Sequence, residues 1–227
     1  MIHKISIFLK TKVPRLIWKH APFVWKGNTD SSIKGMQVLF SNKKSISEDM
    51  LLERVLKISQ GRGVRSICEL GSGAGRNLFL LLDELPNVEY LGLDINKAFV
   101  RGGNNYLKLL GKNESIRLKQ SNIETENLEK YQSSVIFTSV TLMYIHPNKI
   151  YQVFKNIAKN SIVGFIFQEI QGVNDVKNPF AGYLHNYDKI LENLNLDVDF
   201  DIEKKIINSN SWANDCYQAY QYTLIRK

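Results

Sequence analysis

At 227 residues, with 44% hydrophobic and 23% charged composition, the chain suits one globular domain with a real core and shows no internal repeat or low-complexity tract. Its two cysteines, Cys68 and Cys216, make neither a disulfide framework nor a metal-ligand set, so a reducing cytoplasm is the expected setting and no metal is expected. No apolar run reaches the roughly 20 residues of a membrane-spanning helix, and the formal net charge of +8 leaves anionic surfaces and RNA open as partners.

Residues 1–27 carry Lys4, Lys10, Lys12, Arg15, Lys19 and Lys26 among aliphatic residues and the aromatics Trp18, Phe23 and Trp25, with no acid before Asp30. The apolar run 5–9 is interrupted by Ser6 and bracketed by lysines, which argues against a signal peptide. A basic amphipathic segment is expected over 1–45, able to lie on an anionic leaflet. A compact domain is expected over 46–227. It opens with Ser45-Ile46-Ser47-Glu48, a capping box, followed by Met50, Leu51, Val55, Leu56 and Ile58 on one helical face. That helix ends at Gly61 and Gly63, and Met50 and Leu51 are expected in the core.

The apolar run 64–70 then stops at Gly71-Ser72-Gly73-Ala74-Gly75 and is followed by a helical run over 77–82. Alternating glycines permit positive φ and close approach of a ligand, and the N–H groups of the helix start are expected to face an anionic group. A plain strand-to-helix turn is the bland alternative. Glu69 ends this strand and Asp94 ends the next apolar run, 88–93, where a ribose diol is gripped in doubly wound sheets. The spacing is Gly-x-Gly-x-Gly after an acid, not the Gly-x-Gly-x-x-Gly of dinucleotide sites.

Residues Glu69 to Gly75, with Leu93-Asp94-Ile95-Asn96, resemble the first two motifs of class I S-adenosylmethionine-dependent methyltransferases. The resemblance covers roughly residues 60–227 and implies an α/β fold, a Rossmann-like doubly wound seven-stranded sheet with a C-terminal antiparallel hairpin. It implies S-adenosylmethionine as cofactor, held by Glu69, Gly71, Gly73, Gly75, Asn77, Asp94 and Ile95. It also offers a second reading of residues 1–27, as a segment folded over the cofactor.

Further along, Asn96 is expected to cap a helix that runs to 110 and stops at Gly111, before a third strand at 115–119. Asn122 stands where the family usually has an acid for the adenine amino group; its amide oxygen and the N–H of Ile123 can serve instead. A fourth strand, 135–138, leads to Ser139, a cofactor contact by resemblance, and to Thr141, Tyr144 and His146 at the acceptor edge. His146-Pro147-Asn148 reads equally as a helix start. A helix to 159 and a fifth strand over 162–169 precede the irregular stretch 171–184, and a loop of this length is commonly functional. In the resemblance this region binds the acceptor, placing Tyr183, His185 and Tyr187 over the reacting methyl group. Helix 189–194 and two β-prone runs, 196–207 and 217–225, close the chain.

The implied chemistry is displacement at a sulfonium methyl group, which needs alignment and removal of a proton. Among four histidines, His185 is the expected base, with Glu169, Asp188, Tyr144 or no side-chain base as alternatives. The fourth strand is followed by Ser139-Val140-Thr141-Leu142 rather than the Asn/Asp-Pro-Pro-aromatic turn of nucleic-acid N-methylation. A small polar acceptor is therefore expected, such as a sugar or glycan precursor, with RNA or a non-catalytic or nicotinamide-binding role as alternatives. The expected location is cytoplasmic, with contact to the inner face of a membrane through 1–27.

Overall fold

The computed structural model describes residues 32–41, 43–131, 133–172, 182–207 and 217–227. The expectations placed on residues 1–27, and on most of the loop that follows the fifth strand, lie outside these residues.

Seven strands form one sheet: β1 (Ser66–Leu70), β2 (Glu89–Asp94), β3 (Ile116–Gln120), β4 (Ser133–Ser139), β5 (Ser161–Gly172), β6 (Phe200–Ile206) and β7 (Tyr217–Arg226). Their order is β3-β2-β1-β4-β5-β7-β6. The first five are parallel, and β7 runs antiparallel between β5 and β6. Strand order therefore reverses at β1 and β4, and a doubly wound sheet opens its ligand crevice at the carboxyl ends of such a pair. Both strands are buried almost throughout, as central parallel strands covered on both faces must be.

One face is covered by α1 (Ile33–Ser41), α2 (Ile46–Gln60), α3 (Arg76–Leu82) and α4 (Lys97–Leu109), which enclose Ile67, Val135, Phe137 and Ile166. The other is covered by α5 (Pro147–Asn160), α6 (Tyr187–Asn193) and the one-turn α7 (Leu196–Asp199), around Leu70, Ile136, Phe165 and Phe167. The local signals act as expected. Ser45 accepts from Glu48 N–H while Glu48 Oε2 accepts from Ser45 N–H at 2.7 Å, closing the capping box. Asn96 Oδ1 caps α4, and Gly111 follows it at φ 67°.

Three expectations are corrected. Met36 and Phe40, four residues apart on α1, are buried in the core, with Phe40 against Phe79 and Tyr106, so the folded unit extends before residue 46. Met50 is only half-buried, whereas Leu51, Val55 and Ile58 carry the apolar face of α2. The β-prone run beginning at 196 starts as a helical turn, because Asn195 takes a left-handed conformation at φ 50° and Leu196 is drawn into the core.

Candidate active site

The glycine turn joins β1 to α3. Gly71 has φ 75°, and a Cβ there would lie 2.0 Å from Thr141 Oγ1, so only glycine lets the turn pass the β4 exit. Gly73 has φ 56° with no described residue within 4 Å of its missing Cβ, so among the described residues its outer side is open to a ligand. The N–H groups of the turn ahead of this helix are engaged within the protein. Gly71 and Ser72 donate to the Leu93 carbonyl at 2.7 and 3.2 Å, Gly73 donates to Asp94 Oδ2 at 2.7 Å, and Gly75 to the Ser72 carbonyl. Glycine-turn and β2 ends are thus stitched together, and the turn offers space more than donors.

Two carboxylates flank this space. Glu69 is 2% exposed; its Oε1 accepts from Asn77 Nδ2 at 2.7 Å, while its buried Oε2 has no partner among the described residues. Burial pushes its pKa up to about 8, against the opposing bond from Asn77. Asn77 therefore orients Glu69. Asp94 Oδ1 accepts from Asn96 N–H and Oδ2 from Gly73 N–H, both at 2.7 Å; burial raises its pKa while these bonds oppose the rise. Each oxygen can still accept a second bond, and the residue is only partly buried. Ile95 sits beside it, half-buried, and its carbonyl accepts from Gln120 Nε2. On the next strand end, Asn122 Oδ1 accepts from Glu124 N–H at 3.2 Å, and Ile123 is buried.

The sequence reading missed Arg76. Directly after Gly75, its Nε donates to the Leu39 carbonyl at 2.9 Å and its guanidinium pairs with Glu48, tying α1 and α2 to the glycine turn. An arginine immediately after the last glycine, with the acid of a capping box upstream, was the available signal.

At the β4 exit, Ser139 is half-buried, its carbonyl accepting from Thr141 Oγ1, and Val140 takes φ 51°. Tyr144 is also half-buried, its hydroxyl pKa pushed up by burial. His146 caps α5: its Nδ1 accepts from Asn148 N–H at 3.1 Å, and Pro147 takes the first helical position. Residues 182–185 fold back on this exit. Tyr183 N–H donates to the Met143 carbonyl at 2.6 Å, and the Tyr183 ring packs edge-on to His146.

That fold-back corrects two site expectations. His185 is 6% exposed rather than at the edge of the crevice, and its Nε2 donates to the Ile145 carbonyl at 3.0 Å. A carbonyl only accepts, so the ring proton sits on Nε2, and burial lowers the pKa to about 4. Tyr187 is wholly buried, packed among Phe154, Phe167 and Tyr222 instead of lining a pocket. Asp188, another alternative base, is engaged by Lys204 and the Tyr222 hydroxyl. Among the described residues, no three His, Cys, Asp or Glu side chains group as a metal site.

Residues 68–160 match a family model described as a methyltransferase domain. Comparison with curated protein sequences gives no significant match. Among solved structures, the N-terminal domain of EvdMO1 with SAH bound is similar at a TM-score of 0.62 and 15% identity, over 82% of each chain. Against the longer EvdMO1 structure, the chain spans 40% of that protein's length. Geranyl diphosphate methyltransferase in complex with GPP and sinefungin is similar at a TM-score of 0.63 and 14% identity, over 79% of this chain and 77% of that one. Magnesium protoporphyrin IX methyltransferase (ChlM) from Synechocystis PCC 6803, with bound SAH, gives a TM-score of 0.64 and 12% identity, over 95% and 99%. At these identities the likeness shows the fold.

Proposed function

We propose that this chain, a class I S-adenosylmethionine-dependent methyltransferase, methylates a small polar acceptor of the sugar or glycan-precursor kind. S-adenosylmethionine is the cofactor, and when bound it supplies a sulfonium methyl group open to displacement. The observation that carries its placement is the buried Glu69 Oε2, without a partner among the described residues, at the end of β1 where the glycine turn begins. A buried carboxyl oxygen without a partner is costly, and the ammonium of the cofactor's methionine end, which would favour the ionised form, is a fitting partner. Asp94, poised by Gly73 and Asn96, would accept from the ribose diol, with Ile95 beside it, and Asn122 and Ile123 would hold the adenine. Ser139 would contact the methionine end, and Tyr144, His146 and Tyr183 would border the acceptor.

Neither histidine serves as a strong base in this reading. His146 spends the lone pair of Nδ1 on its helix cap, so its neutral ring offers only a donor at Nε2. His185 is buried with its proton committed to Ile145. The protein's contribution is then alignment of the acceptor, with the acceptor proton leaving to solvent. Support for a small acceptor comes from the similar structures, since EvdMO1 was crystallised in the presence of D-fucose and the geranyl diphosphate enzyme with GPP. The six uncompensated cations of 1–27 support a second contact, with an anionic membrane surface.

Calorimetry with S-adenosylhomocysteine tests the cofactor assignment. Asp94→Ala should weaken binding by roughly 1.5–3 kcal/mol and Glu69→Gln by a similar amount, the scale of a hydrogen bond to a charged group. Unchanged affinity in folded variants would remove both residues from the site. Incubation of S-adenosylmethionine with sugars, nucleotide sugars and RNA, read as a mass gain of one methyl, separates the small acceptor from RNA.

A further inference from the structure

Four consecutive N–H groups leave the end of β4 pointing back at β5. Val140 N–H donates to the Gln168 carbonyl at 2.8 Å. Thr141 and Leu142 N–H both donate to Glu169 Oε1, at 2.8 and 2.7 Å, and Met143 N–H donates to Oε2 at 3.3 Å. Glu169 is 0% exposed, so this carboxylate sits inside the protein as the anion of a backbone nest. The nest exists because Val140, a β-branched residue, is held at φ 51°, a conformation that persists only where the surroundings enforce it.

The turn held in this way touches both halves of the site. On one side the Thr141 side chain packs where a Cβ of Gly71 would stand, in contact with the glycine turn. On the other, the Met143 carbonyl takes the Tyr183 N–H, and Gly182 passes so close that a Cβ there would lie 2.7 Å from that carbonyl. We propose that Glu169 is a positioning residue: its carboxylate fixes the Val140–Met143 turn, and through Thr141 and Gly71 it sets the shape of the cofactor turn. The proposal rests on the cofactor reading given above.

The charge state of Glu169 then matters. A carboxylate offers enough lone pairs for three N–H donors, whereas a protonated acid turns one oxygen into a donor and faces an N–H with it. Burial lifts this pKa to about 7, opposed by the three backbone bonds and by the Tyr187 hydroxyl. The other ionisable groups around it are Tyr144 from the β4 exit, Tyr187 from α6, and Tyr220 opposite it on β7. Acid should therefore loosen the turn, and alkali should tighten it.

Two measurements test this. In the ligand-free wild type, the amide resonances of Thr141 and Leu142 should shift together with pH, with a midpoint near 7, and should not titrate in Glu169→Gln. Affinity for S-adenosylhomocysteine at pH 8 should be about tenfold weaker in Glu169→Gln than in wild type, and the ratio should approach one at pH 6. Glu69 also titrates beside the cofactor, but it does so in both proteins, so the ratio isolates Glu169. Amides that stay still between pH 5 and 9, or an affinity ratio independent of pH, would overturn the proposal. Should Glu169→Gln not fold, the wild-type amide titration decides alone. Failure of wild type to bind S-adenosylhomocysteine at any pH would remove the cofactor reading and with it the coupling to Gly71, while the amides still report whether Glu169 holds the turn.

Discussion

His185 shows how a residue's role turns on what folds over it. Its ordinary pKa of 6.5 falls to about 4 in the folded protein, chiefly through burial, so the unfolded chain takes up the proton more readily between these values. The stability that depends on a neutral ring is complete above pH 6.5 and is lost as pH falls toward 4, amounting to at most about 3 kcal/mol. Urea unfolding should therefore show a steeper loss between pH 7 and 5 in wild type than in His185→Gln, which has no ring to titrate. Parallel losses in the two proteins would show that His185 is not the titrating group. At this scale, what could be read from sequence was whatever acts over three or four residues: the Ser45–Glu48 box, the Asn96 cap, and Pro147 after His146. Burial of His185 and Tyr187 was not legible, since it depends on residues 182–185 returning to a turn forty positions earlier. Glu169 was read only as an alternative base, and its hold on the turn escaped for the same reason, because its partners are backbone N–H groups and leave no mark in composition.

Among the elements, the glycine turn makes the sharpest contrast, because two glycines with similar dihedrals have different surroundings. Gly71→Ala forces a left-handed alanine and drives its Cβ into Thr141, which should cost about 2–4 kcal/mol of stability. Gly73→Ala meets no described residue within 4 Å and should cost only about 1–2 kcal/mol, from the left-handed backbone. Its effect should appear instead in cofactor affinity, because the new methyl group occupies the open side of the turn. Thermal unfolding alongside calorimetry with S-adenosylhomocysteine separates the two, and equal stability losses would mean that Thr141 does not press on Gly71. The sheet itself was legible, because buried parallel strands read as unbroken apolar runs bounded by glycine and acid. What resisted reading was polar cross-linking between elements, such as Arg76 to Glu48 and Leu39, which follows from how the helices stack and not from periodicity.

For the whole molecule, the distribution of charge bears on how the protein is placed. Six of its eight net positive charges lie in residues 1–27, interleaved with aliphatic and aromatic side chains, whereas cations and acids nearly balance over the rest. Immediately after this segment α1 exposes Ile33 and Val38, while Met36 and Phe40 anchor the helix to the core. No helix among the described residues is long and apolar enough to cross a membrane. Each lysine or arginine near an anionic leaflet contributes about 1 kcal/mol at moderate salt, and aromatic residues add interfacial burial. Full-length protein should therefore sediment with vesicles containing phosphatidylserine and be released as salt is raised toward about 0.5 M, where the Debye length shrinks to a few ångströms. Deleting residues 1–27 should abolish sedimentation and leave S-adenosylhomocysteine affinity unchanged. If the full-length chain never binds vesicles and the deletion instead weakens cofactor binding, the segment covers the cofactor. The Arg76 links from the glycine turn to α1 and α2 would then be the route by which it acts on the site.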